Sequence, residues 1–283
     1  MQENNMSLTN ESIAVITGAA SGIGRALAVC LAQEKVAGIA ISDVNEKDLR
    51  ETAEIVKNLG VVCSVHIVDV SSREQVENFA DEVLQKHGKV THLINNAGVG
   101  LIGTFEQISL EDFEWLMSIN FWGVIYGCKF FLPILKEQKS AHILNISSVF
   151  GLVAPPEQTA YCSSKFAVRG FSESLRHELE NTNVRVSSVH PGGIKTNIAR
   201  NSRIGKDTPE KLKVQGVKFF DKVAQTSAEE AAKTIVRGIK AENPRILIGK
   251  DALAINYIHR IFPKSYLKIF ERIAGHRLDL RRK

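Results

Sequence analysis

Tyr161 and Lys165 stand four residues apart in the stretch Ala160-Tyr161-Cys162-Ser163-Ser164-Lys165-Phe166. On a helix that spacing sets two side chains on one face, a turn apart. A phenol is a poor proton carrier at neutral pH because its ordinary pKa lies near 10. A nearby ammonium favours the phenolate and brings the group closer to working pH. The pair is read as a candidate proton-transfer couple, although a solvated helix face yields the same pattern and the pair alone decides nothing. Its company sharpens the reading: Ser148, in Asn145-Ile146-Ser147-Ser148, lies thirteen positions before Tyr161. Near the N-terminus stands Thr17-Gly18-Ala19-Ala20-Ser21-Gly22-Ile23-Gly24. Asn95-Asn96-Ala97-Gly98 and Asn120 fall between, and Pro191-Gly192 follows.

Positioning these residues requires a regular scaffold. Short apolar runs at 12–17, 38–42, 61–68, 90–94, 142–146, 184–189 and 246–248 read as buried strands. Helical patterns at about 23–35, 45–58, 72–87, 109–138, 159–180 and 227–240 alternate with them. Such alternation implies parallel βαβ units with right-handed crossovers. Glycines 18, 22 and 24 sit between a strand and a helix, where they allow tight turning, close backbone approach and a helix N-terminus facing a pyrophosphate. Asp43 ends the second strand about 20 residues past the glycine turn, where a carboxylate accepts from ribose hydroxyls and repels a 2′-phosphate. Arg25 and Lys47 are the nearest cations, and both read as helix-surface charges. The expected cofactor is NAD, with NADP disfavoured.

In this order and at these distances the motifs resemble those of the classical short-chain dehydrogenase/reductase family. They span Thr17 to Thr196, and the strand and helix pattern carries the likeness to about Gly249. The resemblance implies one doubly wound, Rossmann-type α/β domain over 11–250, with a seven-stranded parallel sheet. A flexible 1–10, a variable substrate loop at 197–225 and a helical extension at 251–283 complete the chain. By resemblance Tyr161 is the acid/base, Lys165 binds the nicotinamide ribose, and Ser148 hydrogen-bonds the substrate oxygen. Ser148 is preferred to Ser147 by its spacing to Tyr161, since a strand alternates faces. Asn120 would interrupt its long helix and anchor a water that relays protons from Lys165. Gly18, Ser21, Gly22, Ile23 and Gly24 would cradle the pyrophosphate. Asp69 and Val70 would flank the adenine, while Asn96, Ala97 and Gly98 would line the adenosine ribose. Ile194 and Thr196 would hold the carboxamide, after the turn Pro191-Gly192-Gly193. Phosphate-preferring relatives often carry a basic side chain just before Gly22, where this chain has Ala20 and Ser21.

The expected activity is hydride transfer between NAD and a hydrophobic secondary alcohol or ketone, sterol-like or lipid-derived among the possibilities. Val99, Leu101, Ile102, Val149, Phe150, Leu152, Val153 and Ile194 suggest the apolar lining. An NADPH-dependent reductase of lipid or other carbonyls is the alternative. A non-catalytic nucleotide-sensing scaffold is disfavoured by the intact set Asn120, Ser148, Tyr161 and Lys165.

The formal net charge of +5 is unevenly spread: from Tyr257 onward there are eight Lys/Arg against two Asp/Glu, leaving 28 against 29 elsewhere. That near-neutral body argues against nucleic acid as a partner. Cys30, Cys63, Cys128 and Cys162 show no metal-ligand spacing, and Cys162 reads as core. His142 and His190 sit at strand ends without ligand partners, so no metal is expected. With no signal-peptide core and no long apolar run, a cytoplasmic protein is expected. Apolar residues on more than one face of 109–138 and 158–180 suggest a homodimer or homotetramer. In the tail, Arg260, Lys264, Lys268 and Arg272 recur every four residues beside Ile258, Ile261, Phe262, Tyr266, Ile269 and Phe270, with Pro263 dividing two helices. Packing on its own domain or another subunit is the favoured reading, and peripheral membrane contact the lesser one.

Overall fold

The computed structural model describes residues 8–274. Residues 1–7 of the segment expected to be flexible, and the basic residues 275–283, lie outside that description. Apolar runs give the strands β1 (Ile13–Thr17), β2 (Gly38–Asp43), β3 (Val62–Ile67), β4 (His92–Asn95), β5 (Leu101–Ile102), β6 (Ala141–Ile146), β7 (Val184–Pro191), β8 (Arg203–Ile204) and β9 (Arg245–Ile248). Between them run α1 (Gly22–Gln33), α2 (Glu46–Asn58), α3 (Arg73–His87), α4 (Leu110–Met117), α5 (Gly123–Lys136), α6 (Thr159–Glu178), α7 (Glu210–Val223), α8 (Ala228–Lys240), α9 (Lys250–Ile261) and α10 (Tyr266–Ala274).

Seven strands form one parallel sheet in the order β3-β2-β1-β4-β6-β7-β9. Helices cover both faces, so central strands are apolar at nearly every position rather than at every second one. Neighbouring residues still go to opposite layers. Ala14 and Ile16 pack with Leu27 and Leu31 of α1, Leu49 and Val56 of α2, and Ile235 and Ile239 of α8. Val15 and Leu93 pack with Phe79 and Val83 of α3 and Phe131 and Leu135 of α5.

Two regions depart from the sequence reading. The helix expected over 109–138 is α4 and α5 joined by a π turn at Ser118–Trp122, which contains Asn120, the residue expected to interrupt it. By length and composition the continuous stretch Leu110–Lys136 is apolar enough to cross a membrane, contrary to the reading that no window approaches this. Its apolarity has a different origin, because Val124, Phe131 and Leu135 are buried in the core layer shared with α3. The loop at 197–225 is ordered: β8 pairs in parallel with β5, and α7 follows. No residue of α7 is fully buried, so its sequence shows no clean apolar stripe. Beyond the sheet, α9 and α10 meet at an elbow containing Pro263, as expected of a residue that cannot continue a helix.

Candidate active site

The chain reverses its direction of strand addition between β1 and β4, and a doubly wound sheet opens a crevice at such a point, outside the strand C-termini. Gly18 (φ +66°) and Gly22 (φ +54°) adopt left-handed conformations there. A Cβ on Gly24 would lie 2.2 Å from the Gly18 carbonyl oxygen, so the turn closes onto α1 only with glycine. α2, α3, α4 and α8 each begin with a side chain that caps a backbone N–H and with acids in the first turn. α1 has neither, as Ser21 makes no side-chain cap and the first turn holds no acid. Its N–H groups are thus available to an anion such as a dinucleotide pyrophosphate, and the turn fits that group.

Thr17 locks this turn to β4. Its Oγ1 accepts from the amides of Asn96 and Ala97, both at 3.0 Å. The Asn96 side chain donates to the carbonyls of Thr17 (2.9 Å) and Gly18 (3.0 Å). Its amide nitrogen therefore braces the glycine turn. Gly98 lies against Asn120 and Lys165. At the end of β2, Asp43 accepts from the amide of Ala20 (3.0 Å) and from that of Asn45 (3.0 Å), which fixes the carboxylate beside the turn. Asp69 accepts from the Ser71 amide and hydroxyl, and Val70 is buried where Gly123 approaches it. Across the crevice, Ile194 is buried after Pro191, and the Thr196 methyl stands over Gly22. The side chain of Ile23 is half-buried against the core.

The four candidate catalytic residues converge at the ends of β6 and α6 and at the π turn. Ser147 and Ser148 divide as alternation requires: Ser147 donates to the Lys165 carbonyl (2.8 Å), whereas the Ser148 hydroxyl accepts from the Phe150 amide (3.0 Å). His190 braces Ser148 from behind. Its Nδ1 meets the Ser148 carbonyl and its Nε2 the Ser188 hydroxyl, both at 3.0 Å. Burial pushes this imidazole down to about 4, so it is neutral, with Nδ1–H the donor. His142 is likewise buried, bonded through Nε2 to Ser187 at 2.7 Å. Lys165 is 3% exposed; its Nζ donates to the Ile146 carbonyl (3.0 Å) and lies 5.6 Å from the Tyr161 ring centre. Burial lowers the Lys165 ammonium to about 8. The Tyr161 phenol is pushed up to about 12 by burial, with the Ser148 hydroxyl acting in the opposite sense. Desolvation, opposed by the Ser148 hydroxyl, sets the direction of this shift, and the pull expected from the ammonium is not among its causes. Asn120 is fully buried; its Oδ1 accepts from the Val99 amide (2.8 Å) and its Nδ2 donates to the Val99 carbonyl (3.0 Å) and Ser164 (3.3 Å).

Apolar residues close the rest of the cleft. Leu101, Leu116 and Ala160 form a cluster with Val99, Phe113 and Tyr161, and the Phe150 ring stands edge-on to Tyr161 at 6.1 Å. Ile102, Val149, Leu152 and Val153 are buried beside it. The α4 members Phe113 and Leu116 were not among the lining expected from sequence. A separate groove, of about 820 Å³, begins at Gly22 and Thr196 but runs along the outside of α1 past Cys30, and none of the four catalytic candidates lines it.

One positioning residue was invisible in the sequence. The Asp251 carboxylate, at the start of α9, accepts from the Gly193 amide at 2.7 Å across 58 positions. No local pattern links those two positions, so the sequence offered no signal for this bond. Asp251→Ala is expected to weaken NADH binding about tenfold, the scale of one hydrogen bond to a charged group. Fluorescence titration checks it, and unchanged affinity would mean the Pro191–Gly193 turn holds itself.

Residues 12–207 match the family model described as short chain dehydrogenase. The Mycobacterium tuberculosis protein SadH, an oxidoreductase by name, is 42% identical over 267 residues, which cover 93% of this chain and 95% of SadH. A short-chain dehydrogenase/reductase from Burkholderia phymatum, solved in complex with NAD, superposes with a TM-score of 0.83 at 29% identity, over 96% of this chain and 97% of that one. An alcohol dehydrogenase from the archaeon Thermococcus sibiricus, complexed with 5-hydroxy-NADP, superposes with a TM-score of 0.71 at 28% identity, over 84% and 96%. With its parallel sheet, its glycine turn and these relatives, the chain belongs to the short-chain dehydrogenase/reductase family and is an NAD(P)-dependent oxidoreductase acting on CH–OH groups.

Proposed function

We propose that this protein uses NAD to interconvert a hydrophobic secondary alcohol and its ketone. The observation that carries the cofactor choice is Asp43, held at the glycine turn by the amides of Ala20 and Asn45. A 2′-phosphate would have to share space with that carboxylate. Of the two nearest cations, Arg25 cannot relieve the repulsion, because it points toward α2. There it bonds Thr52 (2.9 Å) and the Asp48 carbonyl (2.8 Å) and pairs with Glu51. The NAD complex of the Burkholderia phymatum relative supports this reading, while the 5-hydroxy-NADP complex keeps an NADP-dependent carbonyl reductase as the second one.

A bound nicotinamide supplies or accepts the hydride. The chain's own residues handle the oxygen and its proton. Ser148 holds the substrate oxygen by its hydroxyl, and Tyr161 gives up its proton to that oxygen or takes one from it. Lys165, charged below about 8, stabilises the phenolate that remains. A water that relays protons to Lys165 can attach at the free lone pair of Asn120 Oδ1 or at the Asn120 main-chain carbonyl. The buried aliphatic lining excludes water and selects an apolar substrate. The exposed Trp122 and Phe166 support pairing of two copies through α5 and α6.

The test is direct titration with NADH and NADPH. The unmodified protein is expected to bind NADH more tightly, and tighter NADPH binding overturns the assignment. Asp43→Ala removes the charge together with two acceptors of backbone amides, so NADH binding weakens. NADPH binding should weaken less or improve, moving the ratio about tenfold or more in its favour.

A further inference from the structure

The C-terminal helices present an apolar stripe to solvent where a surface helix ordinarily presents charge. Leu253, Tyr257 and Ile261 follow one another at four-residue intervals on α9 and are 46%, 60% and 65% exposed; Phe262, at its end, is 49% exposed. Their spacing places the first three on one face. The opposite side is seated, with Ala252 fully buried and α9 packed on the Val149–Gly151 turn that carries Phe150. The stripe is held firmly. His259 and Tyr266 meet edge-on at 4.9 Å across the elbow, and the Tyr266 hydroxyl accepts from the Ala154 amide at 3.3 Å. Lys250, Arg260, Lys264 and Lys268 are exposed around it, whereas Asp251 is turned inward to Gly193.

α7 continues this surface. It ends next to the Gly193 turn that Asp251 holds, and Val214, Phe219 and Val223 are exposed on it among Lys211, Lys218 and Lys222. One of its acids, Asp221, is paired with Arg200. α7 also lies over β5, whose Leu101 and Ile102 line the cleft. Two basic helices with outward apolar side chains therefore flank the mouth of one apolar cleft.

We propose that this face docks on an anionic lipid surface, with the stripe Leu253-Tyr257-Ile261-Phe262 entering the headgroup boundary and the surrounding lysines and arginines meeting lipid phosphates. An apolar stripe bordered by cations complements that boundary in both its parts. A second copy of this chain would bring the same positive charges against each other. The cleft then opens onto the phase in which an apolar alcohol or ketone dissolves, a benefit that rests on the substrate reading given above. Docking itself does not depend on it, so failure of the vesicle assay and failure of a screen of apolar carbonyls are separate results.

The full-length protein is sedimented with vesicles of phosphatidylcholine, or of phosphatidylcholine with phosphatidylglycerol, at low and high salt. Binding is expected to the anionic vesicles only, and to fall as salt screens it. Tyr257→Ser with Ile261→Ser, and separately Arg260→Glu with Lys264→Glu, should each weaken it roughly tenfold or more, with NADH affinity and oligomeric size unchanged. Absence of binding to anionic vesicles overturns the proposal. So does a smaller assembly for the Tyr257/Ile261 variant, which would make the stripe an interface between copies.

Discussion

Tyr161→Phe is expected to bind NADH as the unmodified protein does and to lose about 10²–10⁴-fold in kcat/KM, the range of general acid–base catalysis. Only one oxygen is removed. The ring keeps its packing among Leu101, Leu116 and Ala160 and its edge contact with Phe150, so the fold and the cleft survive. No neighbour is placed to substitute, since Lys165 Nζ is bonded to the Ile146 carbonyl and the Ser147 hydroxyl to the Lys165 carbonyl. Steady-state nicotinamide absorbance with a ketone and with its alcohol checks the loss. Turnover within tenfold of wild type would assign the proton to another group. The direction of the pH dependence follows from the same burial. With the phenol pushed up to about 12, alcohol oxidation, which needs phenolate, should rise with pH. Ketone reduction, which needs the neutral phenol, should not, and should decline once Lys165 loses its charge above about 8.

Lys165→Met is expected to make the protein more stable and nearly inactive. Burial disfavours the charge of the folded lysine and lowers it to about 8 from its ordinary value of 10.5. Between those values the unfolded chain holds more protons than the folded one, so this group's contribution to stability rises with pH across that window. Below about 8 both states are charged and the full burial cost is present. Methionine fills a similar volume without charge and should add on the order of 1–2 kcal/mol at pH 7, part of the gain being offset by the orphaned Ile146 carbonyl. Turnover should fall at least about 10²-fold with loss of the charge beside the reacting oxygen. Thermal melts at pH 7 and pH 10 check the first part, because the advantage of methionine should shrink at the higher pH. A variant less stable than wild type at pH 7 would show that the native hydrogen bond already offsets the burial cost.

Much of this architecture was legible because the relevant physics is local. Gly18, Gly22 and Gly24 announce a turn that only glycine can make, and apolar runs buried on both faces announce a parallel sheet. The spacing of Tyr161 and Lys165 needed nothing more than the helical period. What escaped was non-local or conditional. A break at Asn120 was expected, but its π geometry leaves no compositional mark, because the residues also suit an α-helix. The order in α7 arises from a two-residue pairing of β5 with β8 and from Arg203, whose guanidinium stacks 3.6 Å over Trp115. Neither contact has a periodic signature. The phenol's upward shift was missed because a sequence displays the neighbouring charge but not the solvent removed around it.

The bond between Asp251 and Gly193 also sets an order of events during synthesis. A chain leaves the ribosome N-terminus first, so the glycine turn at residues 18–24 emerges early and β4 soon follows to flank it. The residue that fixes the Pro191–Gly193 turn is made only 58 positions after Gly193 itself. Free dinucleotide can therefore engage the pyrophosphate end of a nascent chain well before it can clamp the other. The ligand-driven stabilisation that depends on this bond arrives only once α9 is made, and a chain terminated just before α9 would carry an intact glycine turn with its opposite wall unfastened.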